Sequence, residues 1–155
     1  MRIKLTLFIY AAVLTLCFSK VAEAQSWKSG TSAGQAFIEI ASLKPGAALR
    51  LECAEGRKIW LRYYPVRGWN GGLKVAVRIG DYTSPMEIDG GDGALLSNLP
   101  GGDIGVTKPL LEAMKQAKTI VVEGPAAVSV PLAQRTFSLT DAMKPLTSLE
   151  ARCAR

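Results

Sequence analysis

Histidine is absent from all 155 residues. Its absence excludes Ser-His and Cys-His nucleophile pairs, histidine general bases and the commonest zinc ligand. Cysteine is scarce: only Cys17, Cys53 and Cys153 occur. Without histidine they do not compose the usual four-ligand zinc site. No run of five or more Lys or Arg is present, so a formal charge of +6 falls short of a nucleic-acid footprint. No cofactor motif is legible, and no apolar run reaches the roughly 20 residues of a membrane-spanning helix.

The longest apolar run lies near the N-terminus. "MRIK" carries two positive charges, "LTLFIYAAVLTLCF" is apolar, and "AEA" at Ala22–Ala24 places small residues around a cleavage point. This is the pattern of a secretory signal peptide over residues 1–24, cut after Ala24. A membrane anchor is the rival reading, but Lys20 and Glu23 follow the run closely. Residues 25–155 then make a single domain of ordinary size. Removing Arg2, Lys4, Lys20 and Glu23 lowers the net charge to +4.

Period-two patterning dominates the first half of that domain. In "AALRLEC" Ala47, Leu49, Leu51 and Cys53 share one face, and Ala48, Arg50 and Glu52 share the other. "AEGR" turns and "KIWLRYY" follows, so residues 47–64 read as a hairpin. "LKVAVRI", Leu73 to Ile79, alternates most cleanly. "QAFIEIA" at 35–41, "MEI" within a "GDYTSP…" turn region, "ALLSNL", "TIVVEG" and "QRTFSL" are further strand candidates. "TKPLLEAMKQA" reads as a helix capped by Thr107, with Pro109 in the first turn, where its missing N–H costs little.

The closing segment turns helical after "TFSL". Thr140 is placed to cap it, with Asp141 at the positive end of the helix dipole and Pro145 at the fifth position as a point of kinking. Ala142, Leu146, Leu149 and Cys153 fall on one helical stripe. Cys153 thus shares the core-facing side of its helix, as Cys53 shares that of its strand. In an oxidising compartment the two predict a disulfide that bolts the last helix to the early hairpin. Closing a loop of that length contributes about 4–5 kcal/mol in the chain-entropy model. The expected fold is α+β: a mainly antiparallel sandwich or partial barrel with two helices packed on it.

"LLEAMKQAKTIVVEG" and "RTFSLTDAMKPLTSLEARC" together resemble the C-terminal half of the invasion-associated locus B proteins, small exported proteins of alphaproteobacteria. Thr140 and Asp141 stand where that family has its glycine region. The "L-x-x-L-x-x-x-C" ending is also similar to exported accessory proteins of type VI secretion. The resemblance implies a periplasmic or secreted protein linked to host association, and it supplies no catalytic residues.

An outward face is the strongest site candidate. With Ile59, Leu61 and Tyr63 inward, Lys58, Trp60, Arg62 and Tyr64 point out. Lys74 and Arg78 do so on the next clear strand, and Arg67 and Trp69 occupy the loop between. If the two strands pair, a basic patch with interleaved aromatic rings results. Such a patch suits an anionic glycan, a lipid headgroup or an acidic protein partner. Its competitor is an ordinary solvated sheet face. "EIDGGDG" places Asp89 and Asp92 in a glycine-rich loop, a pairing that serves hydrolysis or calcium binding in other settings, though no EF-hand spacing is present. The expected function is therefore a non-enzymatic envelope binding or accessory protein. The alternatives are an inhibitor that plugs a hydrolase cleft with the loop Arg67–Gly72, and a glycan hydrolase using Asp89.

Overall fold

The structure is a computed structural model that describes residues 25–64, 73–88, 94–97, 105–124 and 130–155. Residues 1–24, where a signal peptide is expected, lie outside these residues, as do the 68–72 loop, Asp89 and Asp92.

Among the described residues nine strands run in chain order: β1 Lys28–Ser32, β2 Gln35–Ala41, β3 Ala48–Ala54, β4 Lys58–Tyr64, β5 Leu73–Ile79, β6 Tyr82–Ile88, β7 Ala94–Ser97, β8 Thr119–Glu123 and β9 Thr136–Ser138. Among the described residues three α-helices accompany them, α1 Lys108–Gln116, α2 Leu132–Arg135 and α3 Met143–Cys153, with a single 3-10 turn at Glu55–Arg57. Every strand pairing is antiparallel, in the order β1-β2-β3-β4-β7-β6-β5-β8-β9. The β4–β7 seam consists of two residue pairs, Leu61↔Leu95 and Arg62↔Ala94, so the sheet is two halves joined by a thin junction. β9 returns to the end of β2 through one bridge, Ser42↔Phe137, and a Leu43 N–H to Thr136 carbonyl bond of 2.9 Å. The result is the expected α+β partial barrel, curled but not closed.

Alternation explains the interior. Ile38, Ile40, Leu49, Leu51, Ile59, Leu61 and Tyr63 face inward from β2–β4 and are buried, as are Val75, Val77 and Ile79 from β5. Across the interior, the Tyr63 and Phe137 rings meet edge to face at 5.9 Å. Burial pushes the Tyr63 phenol up to about 12, with the nearby Arg135 charge opposing in part.

α3 lies over β2, β3 and β4. Its predicted stripe is the buried one: Ala142, Leu146, Leu149 and Cys153 are all buried. Cys53 and Cys153 form the disulfide, with Cα atoms 5.2 Å apart. α1 begins as expected: the Thr107 hydroxyl oxygen accepts from the Leu110 N–H at 3.4 Å, with Pro109 in the first turn. α1 packs on α3, and the Lys115 ammonium ties the two helices, 2.8 Å from Glu112 and 2.7 Å from Glu150. Hydrogen bonds to these two carboxylates raise the Lys115 pKa.

Four local expectations are corrected. Thr140 does not cap α3. Thr140 and Asp141 form a turn whose Thr140 N–H donates to the Ser138 hydroxyl at 3.2 Å, with Asp141 at φ 59°, and the helix begins at Met143. Pro145 therefore sits at the third helical position, where an N–H has no intrahelical acceptor, and not at the fifth. Gln134 and Arg135 belong to α2 and not to a strand. Arg135 holds that turn by donating to the carbonyls of Val130 (2.8 Å) and Val122 (3.0 Å). β6 starts at Tyr82, because only Gly80 and Asp81 turn. Pro85 is tolerated within it because the register with β7 begins one residue later, at Met86. β1, with the sequence "KSGTS", carries no apolar alternation, and nothing in its pattern predicts a strand.

Candidate functional site

The outward residues of β4 point as expected. Lys58 and Tyr64 are exposed, and Trp60 and Arg62 are half-buried, while on β5 Lys74 and Arg78 are exposed. Arg67 and Trp69 lie outside the described residues. The condition for a single patch fails, however. β4 and β5 do not pair, because β7 and β6 stand between them. The tight turn at Gly80–Asp81 gives β5 its partner in β6, and the meander continues through β7 to β4. Lys74 and Arg78 are thus three strand spacings, roughly 14 Å, from the β4 residues.

The β2–β4 part of the face is closely knit. Arg50 and Arg62 sit directly opposite each other, a like-charge pairing that would be unfavourable alone. Two glutamates relieve it. Arg50 lies 2.7 Å from Glu39, its cross-strand neighbour, and Arg62 pairs with Glu52. Both guanidiniums also stack on rings: Arg50 over Phe37 at 4.1 Å and Tyr64 at 5.6 Å, and Arg62 over Trp60 at 5.1 Å. Phe37 extends the stack across Gly30, where a Cβ would fall 2.8 Å from the ring, so a larger residue there would displace Phe37. Three strands back, Arg78 pairs with Glu123 at 2.8 Å. Each of these arginines has an internal carboxylate partner, which leaves little unspent charge for an anionic ligand. The sequence reading omitted Glu39, whose outward position on "QAFIEIA" was available from alternation.

A second surface was missed entirely. A groove of about 1160 Å³ runs between the outer side of α3 and the segment leading into β1. Ile38, Pro145 and Leu149 give it apolar lining, and Trp27 and Ser29 form one wall. Lys144, Ser148, Ala151 and Arg152 form the other. Two polar atoms on this wall are buried without a hydrogen-bond partner: the Trp27 indole Nε1 and the Gln25 Oε1. The Gln25 amide nitrogen itself donates to the Ser42 carbonyl. Arg152 donates to the Thr31 hydroxyl at 3.2 Å, linking helix and strand at one end. Lys28, Lys144 and Arg152 pair with no carboxylate among the described residues. Concave, mostly apolar surfaces with a few convergent polar groups are where ligands bind in general. The only hint in the sequence is Trp27, an aromatic residue ahead of the first strand.

Two smaller hollows flank the disulfide, about 440 Å³ beside Cys153 and about 360 Å³ beside Cys53. No cluster of three or more His, Cys, Asp or Glu among the described residues is arranged to hold a metal. No described helix is long and apolar enough to cross a membrane. The chain matches no protein-family model, no curated protein and no solved structure.

Proposed function

We propose that this chain is a non-enzymatic binding or accessory protein of the bacterial envelope, exported to the periplasm or beyond, and that its ligand sits in the groove between α3 and β1. The observation that carries this reading is the groove itself, with its apolar floor and the cations Lys144 and Arg152, which pair with no carboxylate among the described residues. The "MRIK…AEA" leader and the disulfide support export. Host association or a part in secretion, the roles implied by the resemblance to invasion-associated locus B proteins, is the finer form of the proposal. The β4 residues Lys58, Trp60, Arg62 and Tyr64 are on this reading a stabilised outer wall.

Site-specific photo-crosslinking in intact cells tests it. A photoreactive residue at Ser148 is expected to give discrete adducts, and one at Arg78 is expected to give none. Adducts from Arg78 with none from Ser148 would return the site to the sheet face. Mass spectrometry of the exported protein is expected to find Gln25 at its N-terminus, and a chain retaining residues 1–24 would remove the export claim.

A further inference from the structure

We propose that the groove takes up an extended, partly acidic peptide segment, which adds to the sheet as a further strand along β1. This inference rests on the groove being the binding site.

β1 ends the strand order, with no neighbour beyond it among the described residues. The turn at Ala33 and Gly34 has two residues, both at positive φ (48° and 81°). This is the tight hairpin geometry in which the flanking pair, here Ser32↔Gln35, exchanges hydrogen bonds. Pairs then alternate, so Lys28, Gly30 and Ser32 direct their backbone groups to β2. Ser29 and Thr31 direct theirs to the open edge. Unpaired N–H and C=O groups along an edge are a template for another strand. Natural sheets protect such an edge with bulges, proline, lysine or a covering element; β1 is short and has one lysine, Lys28, ahead of small polar residues.

The side chains agree with the backbone. Ser29 and Thr31 are in register with Ile38 and Ala36, which are buried, so the groove opens on the same side of β1 as the core face. A strand laid along β1 would direct alternate side chains into the groove against Ile38, Pro145 and Leu149. A second copy of β1 fits poorly, since "KSGTS" offers no apolar side chain to fill the space. The charges select further. Lys144 and Arg152 line the groove against one carboxylate, Asp141, which favours a segment with acidic residues beside apolar ones.

The test uses residues 25–155 with the disulfide intact and a displayed library of random seven-residue peptides. Enriched sequences are expected to alternate apolar and polar residues with at least one Asp or Glu. Their affinity is expected to fall tenfold or more with Ser29→Pro, which deletes an outward N–H, and with Ala151→Trp, which fills the groove. Methylating alternate backbone nitrogens of an enriched peptide should cause the same loss in one phase and none in the other, which reads the pairing without altering the protein. Peptides that lose affinity with Ala151→Trp but tolerate backbone methylation in both phases would keep the groove and overturn strand addition. Enrichment of no peptide, or only of peptides insensitive to Ala151→Trp, would overturn both.

Discussion

The outer face of β2–β4 and the groove along α3 are both built from aromatic and basic side chains, yet they differ in what is left over. On the sheet face Arg50 and Arg62 each have a glutamate and an aromatic ring. In the groove two cations, Lys144 and Arg152, lack carboxylates among the described residues. Charge and aromaticity on a strand are therefore not by themselves a sign of bonding capacity left for a ligand. On the proposed reading, the groove's cations are where a ligand would supply what the fold does not.

The largest expected effect comes from unfastening the groove's helical wall. Cys53→Ser with Cys153→Ser should lower stability by about 4–5 kcal/mol, read from the chemical denaturation midpoint. Groove-dependent peptide binding should be lost with it. A loss under about 1 kcal/mol would show that packing of Leu146 and Leu149 alone holds α3 in place.

Adjacent tyrosines on β4 give the next contrast. Tyr63 faces the core and Tyr64 faces outward beneath Arg50. Below pH 10 the Tyr63 phenol is neutral in both folded and unfolded chains, so its contribution to stability is whole. Between about 10 and 12 only the unfolded chain ionises, and stability falls as pH rises through that window. The loss should approach about 2–3 kcal/mol. Tyr63→Phe should flatten that part of the pH profile. Equal slopes in the parent and the Tyr63→Phe protein would mean that Tyr63 is not shielded.

Smallest are the ion pairs, and they should separate by burial. The Arg62 and Glu52 side chains are 11% and 12% exposed, against 45% and 38% for Arg78 and Glu123. Arg62→Ala, which strands a largely buried carboxylate, should cost about 1–3 kcal/mol. Arg78→Ala should cost about 0–1 kcal/mol. If the two changes prove equal in thermal melts, the sheet face is wetter than its geometry implies.

Much of the frame was legible in residue patterning. Alternation located β2–β5, spacing located the buried stripe of α3, and a shared inward face paired Cys53 with Cys153. Thr107 and Pro109 gave away the start of α1. Strand order was not legible, since it depends on which strand a meander brings back. The sequence neighbours β4 and β5 ended up with two strands between them. β1 was invisible because an edge strand needs no apolar face. The groove was invisible for a related reason: its walls are the polar side of a helix and a short lead-in segment, neither of which has a period to read.

The two bonded cysteines lie 100 residues apart, and residues 25–155 contain no third. As the chain emerges N-terminus first, the thiol on β3 waits unmatched while six more strands and two helices follow it. Within that span no mispaired isomer exists. Maturation of residues 25–155 thus calls for an oxidant and leaves a shuffling enzyme nothing to correct.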